Sequence, residues 1–351
     1  MSGTWPFVVR CQVPPVAPVT PAPQAGTGKG PALVAFLIRR VLQSIVVLLI
    51  VTMITFALLR SIPGNPAVAV MGPGIYRDPA AIKLFNSTYG FDLPWYRQYL
   101  LWLGHLARGN LGYSWTLNQS VASLLAIRMP KTIVLVGVST ILALVLAIPI
   151  GVIQAVRRNK LTDHAFNAFS TIFYATPAFL IGIVAILLFA IKFPIFPPEG
   201  PQGEGLGSII TNFDALILPI CTLALVTIAL FSRYMRSSVL DNLTEDYVRT
   251  ARAKGASERR VMIRHVLRNS LITIATLLGL YLPAILGGAL ITEAVFNYPG
   301  MGYLFYQAAE RQDYPILLGL TVVGSLAVVI GNLFADIAYA VLDPRVRYVS
   351  A

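Results

Sequence analysis

The chain has 351 residues, of which 56% are hydrophobic and only 12% are charged, and its mean hydropathy is +0.71. This composition excludes an ordinary soluble domain and predicts an all-α polytopic membrane protein. The formal net charge of +12 is gathered in loops and helix ends, with no basic patch separate from the apolar segments. It predicts contact with membrane lipid or protein partners and excludes nucleic acid as a partner.

Residues 1–31 are rich in Pro, Ala and Val, with VPPVAPVTPAP at their centre. Such a composition predicts an extended, disordered tail. The segment has neither the continuous apolar core nor the small-residue cleavage site of a signal peptide. We expect a cytoplasmic tail or a start codon placed too far upstream, and a tail that binds a partner is the less favoured alternative.

The remainder, residues 32–351, is predicted to be one transmembrane domain with six spans. Each apolar segment is long enough to cross the hydrocarbon core, which is roughly 30 Å thick. In order, the spans are Val41–Leu59, Thr132–Val156, Phe169–Ile191, Ala215–Phe231, Leu271–Ala294 and Ile316–Leu342. Four of them contain a proline, as transmembrane helices tolerate when neighbouring groups satisfy the freed backbone. These prolines are Pro149, Pro177, Pro219 and Pro283.

A long polar segment, residues 60–131, joins the first two spans and is predicted to be external. Its aromatic side chains are of the amphipathic kind that settles at a membrane interface. They are Trp95, Tyr96, Tyr99, Trp102, Tyr113 and Trp115. We expect them to form a surface that rests on the membrane and meets an external protein.

The charges of the loops predict the orientation, because cytoplasmic loops collect Lys and Arg. The loop between the second and third spans carries three basic residues and one acid, and the next such loop, between the fourth and fifth spans, carries nine basic residues and four acids. The loops at 192–214 and 293–315 are net acidic. Both basic loops, and with them both termini, are therefore predicted to be cytoplasmic. The segment 60–131 is net basic, but it is longer than the roughly 60 residues over which the rule applies.

The loop between the fourth and fifth spans, residues 233–269, is predicted to form two helices joined by a glycine elbow. Gly255 supplies the left-handed conformation that ends the first helix. Ser257 begins the second helix, with Glu258 behind it, and Arg252 lies in the last turn of the first. The charge alone is also typical of a plain basic loop, so a docking element and a basic anchor remain alternatives.

The first of these two helices is predicted to begin at Thr244, whose side chain is placed to cap it. Glu245 stands four residues before Arg249, an ion-pair spacing on a solvated helix. A narrow apolar strip runs along the same helix, formed by Tyr247, Val248 and Ala251. In the second helix a basic stripe recurs every four residues, at Arg260, Arg264 and Arg268.

No motif for catalysis or for a cofactor is found on this chain. Gly28-Lys29 lacks both the upstream glycine and the following Ser or Thr of a nucleotide-binding loop. Paired carboxylates, a nucleophile elbow and a zinc motif are also missing, and the three histidines are scattered. Cys11 and Cys221 lie in the tail and in an apolar helix, so no disulfide is expected. We expect a protein that is not an enzyme and that binds no metal.

Two acids lie at the ends of apolar spans, where an ionisable residue is a functional candidate. Asp336 is expected to form a structural ion pair with Arg345 or with a base of the loop at 233–269. Glu293 opens a segment whose Pro and Gly residues predict a tight external turn, and we expect this turn to belong to an outer gate. The candidate gate residues are Glu293, Pro299, Gly300 and Gly302.

The loop sequence DYVRTARAKGASERRVMIRHVLRNSL resembles the cytoplasmic "EAA" loop of permease subunits of binding-protein-dependent ABC importers. It is most similar to the dipeptide, oligopeptide and nickel permease family. The resemblance runs from about Phe36 to Tyr348 and includes SIPGNPA, FYATPAFLIGI, ITEAVFNYPGMGYLFYQAAERQDYP and DIAYAVLDPRVRY. The chain departs from the family pattern at Asn65 and Asn110, where Asp is usual, and at Thr273, where Pro is usual.

The resemblance implies a type I importer permease in the bacterial inner membrane. It implies that the first helix of the loop is a coupling helix that docks on an ATPase subunit. The implied coupling residues are Tyr247, Val248, Ala251, Arg252, Gly255, Ser257 and Glu258. The implied partners are a second permease subunit, two ATPase subunits that carry ATP and Mg²⁺, and an extracytoplasmic solute-binding protein.

Short peptides are the solute that the resemblance favours, and nickel or another small solute is the alternative. A secondary transporter is a hypothesis from a different class. It would require inverted repeats with broken helices or a charge at the bilayer midplane. The sequence has no such central charge.

Overall fold

The structure is a computed structural model that describes residues 29–342, except 63–65, 73, 76–77 and 204. At 29–38, 66, 69–70, 280–288 and 334–342 it describes the backbone only. In this part of the chain every regular element is a helix, which confirms the predicted all-α class. Helix α1 begins at Lys29, so the last three residues of the predicted tail are helical, and the rest of the tail lies outside the described residues.

The helices vary in length from one turn to a full membrane span. In chain order they are α1 (Lys29–Ser61), α2 (Pro66–Met71), α3 (Pro79–Thr88), α4 (Trp95–Ala107), α5 (Val121–Val156), α6 (Leu161–Ala175), α7 (Ala178–Ile186), α8 (Gly207–Thr211), α9 (Asp214–Leu243), α10 (Asp246–Ala253), α11 (Glu258–Arg260), α12 (Arg268–Val295), α13 (Met301–Glu310) and α14 (Tyr314–Leu342). A π-helical turn, Leu187–Lys192, extends α7, and a second one, Val261–Leu267, joins α11 to α12 without a break.

The described part of the chain contains five helices that are long and apolar enough to cross a membrane, and a sixth span if the bent pair α6–α7 is counted as one. This agrees with the six predicted spans. The chain divides into two units, residues 1–44 and 45–351, and the boundary falls within α1.

The third predicted span, Phe169–Ile191, falls on a bent pair of helices that is interrupted at Pro177. Helices α6 and α7 meet at an angle of 99°. Pro177 lacks the N–H that would continue the helix, and Thr176 before it is extended, with ψ of 127°. Pro149 and Pro219, in contrast, lie inside continuous helices.

Helix α9 is the centre of the bundle. About 72% of its most apolar stretch is buried, whereas the corresponding fraction in α1 is 11%. It packs along α5 and α6, where the hydroxyls of Ser170 and Ser232 lie 3.1 Å apart. Helix α1 therefore presents most of its apolar surface outward, as expected of a helix that faces lipid.

The described residues between α1 and α5 form short helices and turns around an aromatic cluster, and the last part of the predicted external segment, 121–131, belongs to α5. Phe85, Phe91 and Trp115 contact one another, and Trp115 also contacts Tyr314 at the start of α14, with 5.7 Å between ring centroids. Among the six aromatic residues expected at an interface, three are exposed and three pack into the core of this region. The exposed ones are Trp95, Tyr96 and Tyr113, and the packed ones are Tyr99, Trp102 and Trp115.

Candidate functional site

The glycine elbow between α10 and α11 has the geometry that the sequence predicts. Gly255 has φ of +77°, in the left-handed region. Its N–H donates to the carbonyl of Arg252 at 2.9 Å, and the N–H of Ala256 donates to the carbonyl of Ala251 at 3.1 Å. These two bonds form a Schellman motif, which satisfies the last carbonyls of α10. The elbow is therefore a defined turn with a fixed direction.

An ion pair closes the outer side of the elbow. The guanidinium of Arg252 donates from Nε to Oε1 of Glu258 at 2.9 Å, and from Nη2 to Oε2 at 3.1 Å. Both side chains are exposed, so the pair contributes only about 0–1 kcal/mol to stability. Its bidentate geometry links the last turn of α10 to the start of α11. Ser257 precedes α11 as predicted, although its side chain makes no capping bond.

The apolar strip of α10 lies against the chain itself, and the coupling role of its residues stays a prediction. Val248 is fully buried and Ala251 is 8% exposed. Both belong to a cluster that includes Val261 and Val266. Tyr247 packs at the edge of this cluster and donates its hydroxyl hydrogen to Asn242. The exposed side of α10 is therefore the opposite one.

Two local expectations about α10 are wrong. Thr244 does not begin this helix; it ends α9, and its hydroxyl donates to the carbonyl of Asp241 at 2.8 Å. Arg249 lies against Asp246 at 3.5 Å, one residue beyond the expected partner Glu245. Because α9 continues to Leu243 and Thr244 ends it, the N-cap of α10 moves by one residue, from Thr244 to Glu245.

The four candidate gate residues come together at the C-terminal end of α12. Glu293 is fully buried there. Its Oε1 accepts from the hydroxyl of Thr132 at 2.6 Å, and its Oε2 accepts from the N–H groups of Gly302 at 2.7 Å and Tyr303 at 3.0 Å. A buried carboxylate is stable only when its oxygens are bonded in this way, and the N-terminus of α13 adds a favourable dipole.

Close approach explains the two glycines of this turn. A Cβ at Gly302 would lie 2.3 Å from Cα of Leu290, and a Cβ at Gly300 would lie 2.4 Å from the carboxyl group of Glu293. The carbonyl of Pro299 accepts from Nη1 of Arg128 in α5 at 3.1 Å. The turn is thus held tightly between α5 and α12.

Tyr298, which precedes this turn, connects it to α5. Its hydroxyl donates to the carbonyl of Lys131 at 3.0 Å. Burial raises the pKa of the Tyr298 phenol well above its ordinary value, so the group stays a neutral donor. The arrangement is a rigid buttress between α5, α12 and α13, and the role of this turn in a gate stays a prediction.

One buried carboxylate was missed by the sequence analysis. Asp313 is fully buried at the start of α14. Its Oδ2 accepts from the hydroxyls of Ser114 at 2.6 Å and Thr116 at 2.7 Å, and from the N–H of Thr116 at 3.1 Å. It joins the external segment to α14. Only the fold shows that these two parts of the chain meet.

A second missed feature joins two helices at the end of the bundle where the basic loops lie. Arg236 in α9 donates to both oxygens of Asp163 in α6, each at 2.8 Å. Asp163 is 3% exposed and also accepts from the N–H of Asn159 at 3.0 Å. This ion pair fixes the short loop between α5 and α6 against the base of α9.

Neither candidate site presents the donor set of a metal centre. Within the described residues, no three His, Cys, Asp or Glu side chains come close enough to hold a metal ion. The expected ion pair of Asp336 lies outside the residues whose side chains are described.

The chain was compared with protein families, curated proteins and solved structures. The family model described as "Binding-protein-dependent transport system inner membrane component" matches residues 147–348. A companion model for the N-terminal part of such components matches residues 33–136. The chain belongs to this family. The predicted permease class and its helical importer fold are confirmed, and the protein is a multi-pass component of the inner membrane.

Several curated proteins align with most of this chain and with nearly all of their own length. The oligopeptide transport system permease protein AppB of Bacillus subtilis is 41% identical over 90% of this chain and 99% of its own length. A putative peptide permease protein of Brucella ovis is 38% identical over 89% and 98%, respectively. The glutathione transport system permease protein GsiC of Escherichia coli K12 is 34% identical over 89% and 99%. A chain from inward-facing conformations of the MetNI methionine ABC transporter is 18% identical, covers 62% of this chain and 97% of its own, and has a TM-score of 0.48.

Proposed function

We propose that this permease subunit pairs with a second, similar permease subunit to form a translocation path for short peptides. An extracytoplasmic binding protein delivers the peptide, and two ATPase subunits, which carry ATP and Mg²⁺, drive alternating access. Both termini and the loop at 233–269 are cytoplasmic in this arrangement. This chain performs no catalysis itself.

The names of the relatives support peptides as the solute. Those reported above are named for oligopeptides, peptides and glutathione, and glutathione is itself a short peptide. They match about nine tenths of this chain, so the likeness includes the external segment and the loop. Nickel is therefore not favoured.

The elbow at Gly255 is the observation that carries the proposed coupling role. Helix α10 is fixed on one face by Val248 and Ala251, which are buried in the chain's own cluster. Its other face is exposed, and a Schellman turn and a bidentate ion pair link it to the next helix. A push on such an element is transmitted to its neighbours because the element cannot deform separately.

The loop also extends far enough to meet a partner in the cytoplasm. Helix α9 has 30 residues and is about 45 Å long at 1.5 Å per residue. The hydrocarbon core is about 30 Å thick, so α9 extends well past it. The helix that runs from Glu258 to Val295 is longer still and enters the membrane without a break. Force applied at the elbow therefore reaches a span directly.

A deletion strain tests the proposed solute. Cells that lack this chain should resist toxic short peptides and fail to use dipeptides as an amino-acid source, and the restored gene should reverse both effects. Normal peptide use together with a defect in a nickel-dependent enzyme would contradict the proposal.

A further inference from the structure

A notch lies between α10 and the helix that follows the elbow. Its volume is about 610 Å³, and it is open on one side. Ala251 and Gly255 form part of its lining, and neither has a side chain beyond Cβ. Lys254, Arg260 and Arg264 line it, together with His265.

The charges that line the notch are all of one sign. Two nearby carboxylates form ion pairs with arginines that do not line the notch. Glu258 binds Arg252, and Asp246 contacts Arg249. Within the described residues, no carboxylate lies within 4.0 Å of the charged nitrogens of Lys254, Arg260 or Arg264. Three cations around one cavity repel one another, and an anion placed between them would relieve that repulsion.

The position of the notch favours a protein over a lipid headgroup as the source of that anion. The helix from Glu258 to Val295 is roughly 55 Å long. A bilayer is about 30 Å thick in its hydrocarbon core and about 40–45 Å thick with its headgroups. With the far end of the core placed at Glu293, the predicted outer end of this span, the elbow lies about 20 Å beyond the core at the near end. Arg260 is then beyond the reach of a phosphate in the headgroup layer.

We infer that the notch receives an acidic element of an ATPase subunit, a loop or helix end that carries two or more carboxylates. The inference rests on the proposed function, in which an ATPase subunit docks on this loop. It adds a second contact to the proposed docking. In the first contact α10 enters a groove of the ATPase, and in the second an element of the ATPase enters the notch beside α10. The carboxylates bind Lys254 from the α10 side and Arg260 and Arg264 from the other side. A contact on both sides of α10 lets the ATPase pull on the loop as well as push it.

A zero-length cross-link tests the contact in the intact complex. A carbodiimide joins a lysine amine to a carboxylate only when the two are in contact. The complex is purified through a tag on this chain, treated with carbodiimide and digested, and the linked peptides are identified by mass spectrometry. We expect Lys254 to be linked to an Asp or Glu of the ATPase subunit. The Lys254→Arg variant keeps the cation but has no amine, and this linked peptide should be missing from it.

Salt sensitivity provides the second measurement. The Arg260→Gln/Arg264→Gln double variant should weaken the retention of ATPase subunits by about tenfold or more at moderate salt, because close charge pairs at interfaces couple strongly. Arg268→Gln is the matched control. It removes one positive charge of the same kind from the same continuous helix, outside the notch, and should retain the ATPase like the unmodified chain.

The outcomes separate the two ideas. If ATPase subunits fail to co-purify with the unmodified chain, the proposed function itself is wrong. If they co-purify but Lys254 is linked only to carboxylates of its own chain, or if the double variant behaves like Arg268→Gln, the notch is not an acidic docking site. Loss of anionic phospholipid from the double variant, with full retention of the ATPase, would assign the notch to lipid and overturn the inference.

Discussion

Replacement of Gly255 by alanine tests whether the elbow transmits motion. At φ of +77° an L-residue costs roughly 1–2 kcal/mol relative to glycine. A Cβ at this position would have no heavy atom within 4 Å, so strain in the backbone is the whole effect. That free energy corresponds to a shift of about 5- to 30-fold in the population of the formed elbow. The two hydrogen bonds of the Schellman motif depend on that conformation.

Transport and ATP hydrolysis are the quantities to measure. We expect Gly255→Ala to lower dipeptide uptake and to lower the stimulation of ATP hydrolysis by the loaded binding protein, at normal abundance in the membrane. Gly255→Asn should restore much of both, because asparagine tolerates the left-handed region. Gly255→Val should be worse than alanine, since a β-branched residue is a stronger outlier at positive φ.

Gly109 offers a matched control. It also has a left-handed φ, of +78°, and open space at its Cβ, but it lies in the external segment. Gly109→Ala carries the same backbone cost and should leave the coupling of ATP hydrolysis to uptake unchanged. If Gly255→Val also retains uptake and stimulated hydrolysis near the unmodified level, the loop is only a basic anchor and the coupling role is refuted.

Three further predictions follow from burial, close approach and orientation. Val248→Glu should lower the abundance of the protein in the membrane, because it places an unpaired charge in the chain's own cluster, whereas Ala253→Glu, at an exposed position of the same helix, should not. Equal abundance of the two variants on immunoblots would contradict the packing of α10. Gly302→Ala should destabilise the purified protein by about 1–3 kcal/mol, because its Cβ would lie 2.3 Å from the backbone of α12. An unchanged thermal midpoint in detergent would show that the turn has room for a Cβ. In a cysteine-free background, an impermeant thiol reagent outside intact cells should label Ala309→Cys and not Ser257→Cys, and the reverse pattern would overturn the orientation.

The elbow was predictable from the sequence because its signals are local. A glycine that follows a basic last turn predicts the end of one helix, and a Ser–Glu pair that begins two residues later predicts the start of the next. Neither signal depends on distant parts of the chain. The number of spans was likewise predictable, since a membrane requires long apolar runs, whereas α5 and α9 extend more than ten residues beyond their predicted spans. The conformation of Gly255 and the number of spans both follow from such short-range rules.

The buried face of α10 was not predictable. Val248 and Ala251 form an apolar strip that suits either a partner or the chain's own core, and only the position of Val261 and Val266 decides between them. Asp313 shows the same difficulty over a longer distance. Its partners Ser114 and Thr116 lie about 200 residues away in sequence, and no local pattern connects them. The 99° bend at Pro177 was foreseen as an interruption, but its size depends on packing around the break.

Reconstitution tests the central claim most directly. The complex purified through this chain is placed in proteoliposomes, with ATP and Mg²⁺ on the side that Ser257 faces and with loaded binding protein and labelled dipeptide on the other side. The account predicts that dipeptide accumulates only when ATP, binding protein and this chain are all present. Accumulation without ATP, driven by an ion gradient alone, would contradict it.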